Sequence, residues 1–446
     1  MVGDSGQRRE PPRRCQMRGR SLPLAPLLLA LCVVLSSIWS SPGSAAPADR
    51  GPGLTATVHT APGPGSSRLQ AAPRQLATSG RAGSAQLSET ARADGGGWWR
   101  QVGAALDPPQ LTAKAAIAVD LTNQALLYAD NPDEPLPPAS TAKLVTALVA
   151  VRTLDLDEAV EIQPGDLVDP TVYANMGLAP GDRLSVKGLL TGLLVASAGD
   201  AANALARAAG QRLGAPSEAA AHQRFVAEMN RLARKLGMRR SWFVAPDGRD
   251  MPGQVVTARD LAIATEALFQ EPVLERIVSL PTATVRVEGP NPREVTLYST
   301  NQWLGLPGVH GVKTGTTPAA GQCLVAAVWR GDARVVTVVL GSQDRYADTQ
   351  ALLDWLDRHL AWVRVAPDGG FAPLDAALRE RGLTLATSRT LLLSREDAVA
   401  LELRFEAPSA HPDRAQWHQG TVVLLVRGQE VLRLPLYAAD RFAPVS

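Results

Sequence analysis

A serine and a lysine three positions apart stand at the start of a predicted helix, where they could act as a nucleophile and its base. Ser140 follows Pro137-Pro138-Ala139, and apolar residues at helical spacing come after it. The prolines keep the approach extended, so Ser140 is predicted to be the N-cap, where the helix dipole favours an alkoxide. Lys143 shares the same face, and a desolvated lysine can take the proton of a serine hydroxyl. A capped helix with a solvated lysine is the alternative interpretation, because Ser-x-x-Lys is a short pattern.

Lysine is scarce in the chain, so the positions that keep it are informative. Lysine and arginine together number 45, and arginine supplies nearly all of them. Because arginine does not lose its proton in a protein, chemistry that needs a neutral amine must use lysine. The lysines are Lys114, Lys143, Lys187, Lys235 and Lys313. The formal net charge of the 446 residues is only +2, which gives no indication of nucleic-acid binding and fits a globular chain of two or three domains.

A second serine, Ser197, lies in a short Ala-Ser-Ala-Gly-Asp turn at residues 196–200. Residues 186–195 are apolar enough for a mostly buried helix, and an alanine-rich helix follows the turn. A polar residue in such a turn usually caps the second helix, and Asp200 would serve equally well. Ser197 therefore has a catalytic interpretation only if a serine and a lysine lie across a cleft from it.

The third motif is Lys313-Thr314-Gly315. Residues 322–329 and 334–340 are apolar strands of a predicted hairpin, so the motif should lie on a neighbouring strand of an antiparallel sheet. Gly315 would leave room for a ligand backbone along that strand. As the structural alternative, Lys313 would protect an edge strand from pairing with other chains.

The first 46 residues read as an export signal. Arginines between residues 8 and 20 form a basic region, an apolar run covers residues 22–39, and Ser44-Ala45-Ala46 offers small residues for signal peptidase. The apolar run approaches the roughly 20 residues that span a bilayer, so an uncleaved membrane anchor is the alternative. Both interpretations place the rest of the chain outside the cytoplasmic membrane.

Residues 47–107 are predicted to be a disordered linker, because they are rich in Gly, Pro, Ser and Ala and show no apolar period. Beyond the export segment, Cys323 is the only cysteine. A single cysteine excludes an internal disulfide and a thiolate metal site, and it is best interpreted as a small buried residue in a strand. We expect neither a metal nor a cofactor.

Other elements must position the three motifs. Residues 115–120 and 125–128 predict a strand hairpin that leads into the Ser140 helix. An amphipathic helix at residues 225–236 ends at a glycine, and another opens at Thr257, with Asp260 completing a variant of the capping box. A last amphipathic helix, residues 346–363, should close the domain against its sheet.

In this order, Ser-x-x-Lys, a serine between buried helices and Lys-Thr-Gly on a strand form the signature of penicillin-interacting serine acyl-enzymes. The chain resembles the serine-type D-alanyl-D-alanine carboxypeptidases, the low-molecular-mass penicillin-binding proteins. The resemblance covers roughly residues 108–363 and includes the shorter matches Met176-Gly177-Leu178, Leu236-Gly237-Met238 and Thr257-Ala258-Arg259-Asp260. It implies an α/β (α+β) domain of the β-lactamase/D,D-peptidase type, with a five-stranded antiparallel sheet, helices and an all-α subdomain.

The resemblance also implies chemical roles at the matching positions. Ser140 matches the nucleophile that attacks the carbonyl between two terminal D-alanines, and Lys143 matches the lysine that accepts its proton. Ser197 matches the serine that relays the proton toward the leaving amine. Lys313 matches the lysine whose charge holds Ser197 and Lys143 in order and can keep Lys143 neutral by like-charge repulsion.

Substrate contacts follow from the same resemblance. The backbone N–H groups of Ser140 and Thr316 would form the oxyanion hole. Thr314 and Arg259 are candidates to hold the terminal carboxylate, and a charge-assisted pair of that kind selects for a free C-terminus. As the alternative, Arg259 would be an ordinary charge on a helix surface.

The chain departs from the family pattern at one position. The second motif usually reads Ser-x-Asn, and its amide hydrogen-bonds the substrate carbonyl and the lysine of the first motif. Here the motif is Ser197-Ala198-Gly199. Gly199 cannot make these bonds, and Asn203 lies too far along the next helix to be assumed a substitute. Substrate positioning and rate are therefore in doubt, although the fold is not.

From about residue 366 the composition shifts toward short strands, which predict a small all-β C-terminal domain. The predicted strands are residues 389–393, 398–405, 420–427 and 431–437. The predicted organisation is a signal peptide or anchor (1–46), a linker (47–107), a D,D-peptidase catalytic domain (108–364) and a β-rich domain (365–446).

These observations predict an extracytoplasmic serine D,D-carboxypeptidase, secreted or tethered to the outer face of the cytoplasmic membrane. It would remove the terminal D-alanine from peptidoglycan stem peptides through an acyl-enzyme, be inhibited by β-lactams, and serve cell wall biogenesis and cell shape. One alternative is a catalytically weakened penicillin-binding regulatory protein, which Gly199 suggests. The other is a β-lactamase, but no glutamate stands in the expected motif context.

Overall fold

The computed structural model describes residues 58–60, 100–101, 107–408 and 418–439. The predicted export segment, residues 1–46, lies outside the described residues, as does most of the predicted linker. The helices are α1 (Lys143–Thr153), α2 (Val186–Val195), α3 (Gly199–Arg212), α4 (Glu218–Leu236), α5 (Ala258–Leu268), α6 (Pro272–Val278), α7 (Arg345–His359), α8 (Ala372–Arg381) and α9 (Arg395–Val399), with short 3₁₀ helices at Ala139–Ala142 and Pro164–Asp166. None of the helices in the described residues is both long and apolar enough to cross a membrane.

The strands of the described residues fall into two larger sheets and several two-stranded pairs. They are β1 (Val58–Thr60), β2 (Arg100–Gln101), β3 (Ala115–Asp120), β4 (Ala125–Asp130), β5 (Ala159–Glu161), β6 (Arg183–Ser185), β7 (Thr282–Val287), β8 (Arg293–Tyr298), β9 (Val309–Thr317), β10 (Gly321–Arg330), β11 (Ala333–Ser342), β12 (Leu360–Val365), β13 (Leu383–Leu385), β14 (Arg389–Ser394), β15 (Leu401–Glu406), β16 (His418–Val426) and β17 (Gln429–Ala438).

The main sheet has the strand order β2-β4-β3-β11-β10-β9. Its last five strands are antiparallel neighbours, which confirms the predicted five-stranded sheet, and the two-residue β2 adds a parallel edge. Alternate residues of β3 point to opposite faces, so Ile117 joins the core on the α5 side and Ala118 joins the cluster around α7. The central strands β3, β10 and β11 are mostly apolar, because helices cover both faces of the sheet.

The helical part of the catalytic region surrounds α1. Every residue of α1 from Lys143 to Ala150 is buried, and α1 packs against α2, α3, α4 and α5. Helix α4 ends as predicted at Gly237, which adopts φ 91 and closes the helix with a left-handed cap. Thr257 caps α5 by accepting the N–H of Asp260, but the Asp260 carboxylate accepts from Ser241 and Arg240, so the reciprocal half of the predicted capping box is absent.

Two local predictions are wrong. Ser140 does not cap a helix, because it lies inside the 3₁₀ turn Ala139–Ala142, and α1 begins at Lys143 without a side-chain cap. The turn closes on itself through Thr141 Oγ1, which donates to the carbonyl oxygen of Pro138 at 2.6 Å. The predicted helix over residues 346–363 ends at His359, since the following residues pair with β14 as strand β12.

The C-terminal region is rich in strands, as the sequence predicts. Its sheet has the order β1-β15-β16-β17-β13 and covers a hydrophobic cluster that includes Phe371, Leu403 and Leu424. Helices α8 and α9, which the sequence analysis did not foresee, lie between its strands. Strand β1 belongs to the predicted linker, yet it pairs in parallel with β15. The domain boundary after residue 364 stays a prediction.

Candidate active site

A cleft of about 560 Å³ opens where the 3₁₀ turn before α1, the α2–α3 turn and strand β9 meet. These elements come from three distant parts of the chain, and each carries one of the sequence motifs. The cleft is lined by most of the predicted site residues, namely Ser140, Lys143, Ser197, Thr314 and Thr316. Lys313 lies beneath the cleft surface, where its side chain is 1% exposed. The fold therefore brings all three motifs to one place.

The Ser140 hydroxyl is in contact with a buried amine. Lys143 Nζ donates to Ser140 Oγ at 2.9 Å and to the backbone carbonyl of Asp247 at 2.5 Å. Lys143 is 3% exposed, whereas Ser140 is partly open to the cleft. The Ser140 hydroxyl is thus accessible from the cleft, while the amine beside it is shielded from water.

Two glycines allow the Ser140 turn to be wedged between its neighbours. A Cβ at Gly315 would lie 2.9 Å from both the Cβ of Ala139 and the backbone nitrogen of Ser140. A Cβ at Gly248, whose φ is +83, would collide with the carbonyl oxygen of Ala139. We expected Gly315 to leave room for a ligand, but its first effect is to let β9 approach the Ser140 backbone.

Burial lowers the pKa of Lys143 from 10.5 to about 8. The negative charge of Asp247 opposes this shift, and the positive charge of Arg249 adds to it. With this pKa about a tenth of Lys143 is neutral at pH 7, far more than at the usual lysine pKa, and a general base must be in that form. The family resemblance suggested like-charge repulsion from Lys313, but burial is the largest cause of the lowered pKa of Lys143.

The second serine–lysine pair, Ser197 and Lys313, is buried beside the cleft. Lys313 Nζ donates to Ser197 Oγ at 2.9 Å and to the carbonyl oxygen of Thr314 at 3.0 Å. Ser197 lies in the turn between α2 and α3, is 4% exposed, and has the left-handed φ of 61. A non-glycine residue in that conformation is uncommon and concentrates at functional sites. The edge-strand interpretation of Lys313 is excluded, because its amine points inward to Ser197.

The pKa of Lys313 also lies well below its usual value. Burial is the main cause, and the positive charges of Lys143 and Arg345 lower the pKa further. Two amines that repel each other in a dry cleft do not both keep a proton easily. A proton gained by one of them therefore favours the neutral form of the other.

One end of the cleft is formed by β9, β10 and the start of α7. Arg345 is 9% exposed there and donates to Thr316 Oγ1, to Gln322 Oε1 at 3.0 Å and to the carbonyl oxygen of Cys323 at 3.0 Å. Thr314 is hydrogen-bonded through its hydroxyl to Thr300 at 2.6 Å. This end combines a fixed guanidinium with hydroxyl groups, which suits a carboxylate.

Arg259 does not reach the cleft. It lies on α5, and its guanidinium pairs with Asp133 at 2.8 Å. Its backbone N–H donates to the carbonyl oxygen of Pro132 at 2.9 Å. The position of Arg259 therefore fits the alternative interpretation, a charge on the surface of α5. Arg345 was missed because a single arginine carries no motif. The signal was its place immediately before the predicted helix at residues 346–363, where a cation opposes the helix dipole.

Gly199 occupies the position at which the second family motif usually has asparagine. Gly199 is the first residue of α3 and lines the cleft, and its N–H donates to Ala174 at 2.7 Å. A Cβ there would meet Val168 Cγ1 at 3.1 Å. Asn203 does not replace it, since its amide donates to the carbonyl oxygen of Asp166 at 3.1 Å.

The cleft is also lined by a charged pair that sequence reasoning missed. Arg249 pairs with the buried Asp247 carboxylate at 2.7 Å and lies over the Tyr173 ring at 5.2 Å. Burial alone would raise the pKa of Asp247, but the hydrogen bond from Arg249 and the charge of Lys143 outweigh it and lower the pKa. The pair fixes the segment whose carbonyl accepts from Lys143. In the sequence it appeared only as a Pro-Asp-Gly turn.

A sheet covered by helices carries two serine–lysine pairs at one cleft, and the amines of both pairs are buried. The family model described as D-alanyl-D-alanine carboxypeptidase, peptidase family S11, matches residues 102–344, which is more than half of the chain. The chain therefore belongs to this family.

Curated relatives agree with this assignment. The chain is 33% identical over 284 residues to the D-alanyl-D-alanine carboxypeptidase DacC of Escherichia coli, which covers 60% of this chain and 66% of that protein. It is 30% identical over 253 residues to DacF of Bacillus subtilis, covering 54% and 61%. The chain thus spans roughly two thirds or less of the length of these two relatives.

Solved structures show the same fold. The Streptomyces K15 DD-transpeptidase matches with a TM-score of 0.53 and 30% identity, over 56% of this chain and 98% of that protein. Penicillin binding protein 6B from Escherichia coli matches with a TM-score of 0.54 and 25% identity, over 74% of this chain and 96% of that protein.

Proposed function

We propose that this chain is an extracytoplasmic serine D,D-carboxypeptidase that releases the terminal D-alanine from peptidoglycan stem peptides and is inhibited by β-lactams. The observation that carries the proposal is the hydrogen bond from the buried Lys143 amine to the cleft-facing Ser140 hydroxyl. Family membership sets the substrate class, and the cleft supplies groups for each step of acyl transfer.

In the first step Ser140 Oγ attacks the carbonyl carbon of the D-Ala-D-Ala peptide bond. Neutral Lys143 takes the hydroxyl proton as the new C–O bond forms, and the carbonyl oxygen becomes an oxyanion. The backbone N–H groups of Ser140 and Thr316 would stabilise this charge, because β9 lies directly against the Ser140 turn. Donors held in place before the reaction need no rearrangement as charge develops.

The tetrahedral intermediate then collapses, and the C–N bond to the terminal D-alanine breaks. The leaving amine needs a proton. Ser197 relays to it the proton that Lys143 took from Ser140, while Lys313 holds the Ser197 hydroxyl in place, so Lys143 becomes neutral again. The acyl group remains as an ester on Ser140. Water then adds to the ester carbonyl with Lys143 as base, and the ester bond breaks to return the Ser140 hydroxyl.

In the proposed complex, the terminal carboxylate of the substrate binds to Arg345, Thr314 and Thr316. Thr314 and Thr316 lie on β9, and Arg345 donates to Thr316 Oγ1. Arg345 is also held by hydrogen bonds to Gln322 and Cys323. The fixed guanidinium would favour substrates with a free C-terminus. Arg345 replaces Arg259 in this role, since Arg259 is paired with Asp133 outside the cleft.

The cellular part of the proposal rests on the sequence and the family. An enzyme that trims peptidoglycan acts outside the cytoplasm, in agreement with the export signal expected in residues 1–46. We propose that residues 47–107 link this signal to a catalytic domain at residues 108–364 and that residues 365–446 form a β-rich domain. Trimming of stem peptides would serve cell wall biogenesis and cell shape.

The test is release of D-alanine from a peptide that ends in D-Ala-D-Ala. The full chain should release one D-alanine per peptide, and penicillin should abolish the release. A matched peptide with an amidated C-terminus should be a much poorer substrate, because Arg345 then lacks a charged partner. Equal cleavage of both peptides would contradict the carboxylate assignment, and absence of any cleavage would contradict the proposed function.

A further inference from the structure

A second groove adjoins the active-site cleft. It has a volume of about 760 Å³ and lies between α4 and the segment at residues 242–251. Arg249 lines both the cleft and this groove. The two spaces are therefore neighbours, and the Asp247–Arg249 pair stands at their junction.

The groove presents an aromatic face and positive charge. Trp242 is 51% exposed and Met251 is 41% exposed, although side chains of this size are usually covered. The guanidinium of Arg234 lies 5.9 Å from the centre of the Trp242 ring. Arg234, Arg249 and His222 line the groove, and none of its lining residues in the described part of the chain is acidic. Such a surface is complementary to a ligand that combines carboxylates with apolar groups.

A chain of contacts links Arg345, through Ser140, to the groove. Arg345 contacts Thr316 on β9, β9 lies against Ser140, and Ser140 contacts Lys143. Lys143 in turn contacts the carbonyl of Asp247, whose carboxylate holds Arg249. If the leaving D-alanine binds at Arg345, the groove next to Arg249 is available to the acyl part of the substrate.

We propose that the groove binds the acyl-side portion of a full-length stem peptide through a free carboxylate at Arg234 and Arg249 and through packing on Trp242. The proposal rests on the proposed function and adds a substrate preference to it. A long stem peptide with an unblocked acidic residue would bind more tightly than a short peptide with the same D-Ala-D-Ala end.

The experiment compares two substrates and three variants of the full chain. The substrates are a pentapeptide stem with a free glutamate carboxylate and a diacetylated lysyl-D-Ala-D-Ala tripeptide that ends before the groove. The groove variants are Trp242→Ala and Arg234→Gln. Lys235→Gln is the matched control, because it removes the neighbouring exposed charge from α4 without touching the groove. Penicillin acylation of each variant reports the basal chemistry.

Each groove variant should raise KM for the pentapeptide about fivefold and leave its kcat unchanged. The kinetic constants for the tripeptide and the rate of penicillin acylation should also stay unchanged. Lys235→Gln should behave as wild type, and amidating the glutamate carboxylate should remove the effect of Arg234→Gln. Equal losses with both peptides, or no loss with the pentapeptide, would overturn the groove assignment while the proposed function stands. Failure of the wild type to react with penicillin and with both peptides would overturn both.

Discussion

The two serine–lysine pairs of the cleft have the same geometry but different origins. In each pair a buried Nζ donates to a serine Oγ at 2.9 Å. Ser140 and Lys143 are three residues apart and sit on one turn, whereas Ser197 and Lys313 are separated by 116 residues. The first pair is held by local backbone geometry, and the second exists only when β9 packs beside the α2–α3 turn. Formation of the second pair therefore depends on correct assembly of the whole cleft.

The surroundings of the pairs also differ. Ser140 is partly open to the cleft, and a charged Asp247 partly offsets the burial of Lys143. Ser197 is almost fully buried, and Lys313 has only positive neighbours among the charges that shift its pKa. In the proposed function, attack on the substrate belongs to the first pair and proton relay to the second. The following substitutions should separate the two roles.

The largest effect should come from Lys143→Arg. Arginine keeps the positive charge but cannot accept the Ser140 proton at neutral pH, so acylation by penicillin should fall about a thousandfold. The second-order rate of acylation measures this. An arginine variant with substantial activity would show that Lys143 acts through its charge alone.

Ser197→Ala should have a smaller effect, because Ser140 and its base remain intact. We expect D-alanine release to fall about a hundredfold, since the leaving amine loses its proton donor and the Lys313 amine loses a hydrogen-bond acceptor. Initial rates with the D-Ala-D-Ala peptide are the measurement. Unchanged rates would restrict Ser197 to a structural role in the turn.

The rate of acylation should rise with increasing pH and then level off. The reactive form has neutral Lys143, whose pKa is lowered to about 8. Below that pKa each unit of acidification removes about nine tenths of the neutral form, so the rate should fall roughly tenfold per unit and level off above it. The apparent pKa belongs to the coupled amines. A profile that is flat between pH 6 and pH 9 would contradict a lysine base.

The smallest effect concerns Gly199. Its φ lies outside the left-handed region, so a side chain is limited by Val168 at 3.1 Å rather than by backbone strain. Gly199→Asn should acylate about tenfold faster than Gly199→Ala, because one hydrogen-bond donor to the substrate is regained. The alanine variant is the matched control for crowding, and melting temperatures check that both fold. Equal rates in the two variants would mean that a different group already fills this role.

The features of the site that depend on residues close together in the sequence were easier to predict than contacts between distant segments. The Ser140–Lys143 spacing, helix α2 and the β10–β11 hairpin depend on neighbouring residues and were predicted. Arg345 and the Asp247 carbonyl belong to the site only because distant segments meet, and no local pattern marks such contacts. The predicted Ser140 cap failed because tertiary packing against Gly315 and Gly248 placed the serine in a 3₁₀ turn.

The central claim is that Ser140 is the nucleophile, and the site of penicillin attachment tests it most directly. The full chain would be treated with penicillin, digested and analysed by peptide mass spectrometry, with Ser140→Ala treated in parallel. One penicillin should be found on the peptide that contains Ser140, and none on the alanine variant. Because Ser140 caps no helix, that variant should keep the wild-type melting temperature. Attachment to Ser197 or to any other residue, or labelling that survives in Ser140→Ala, would contradict the account.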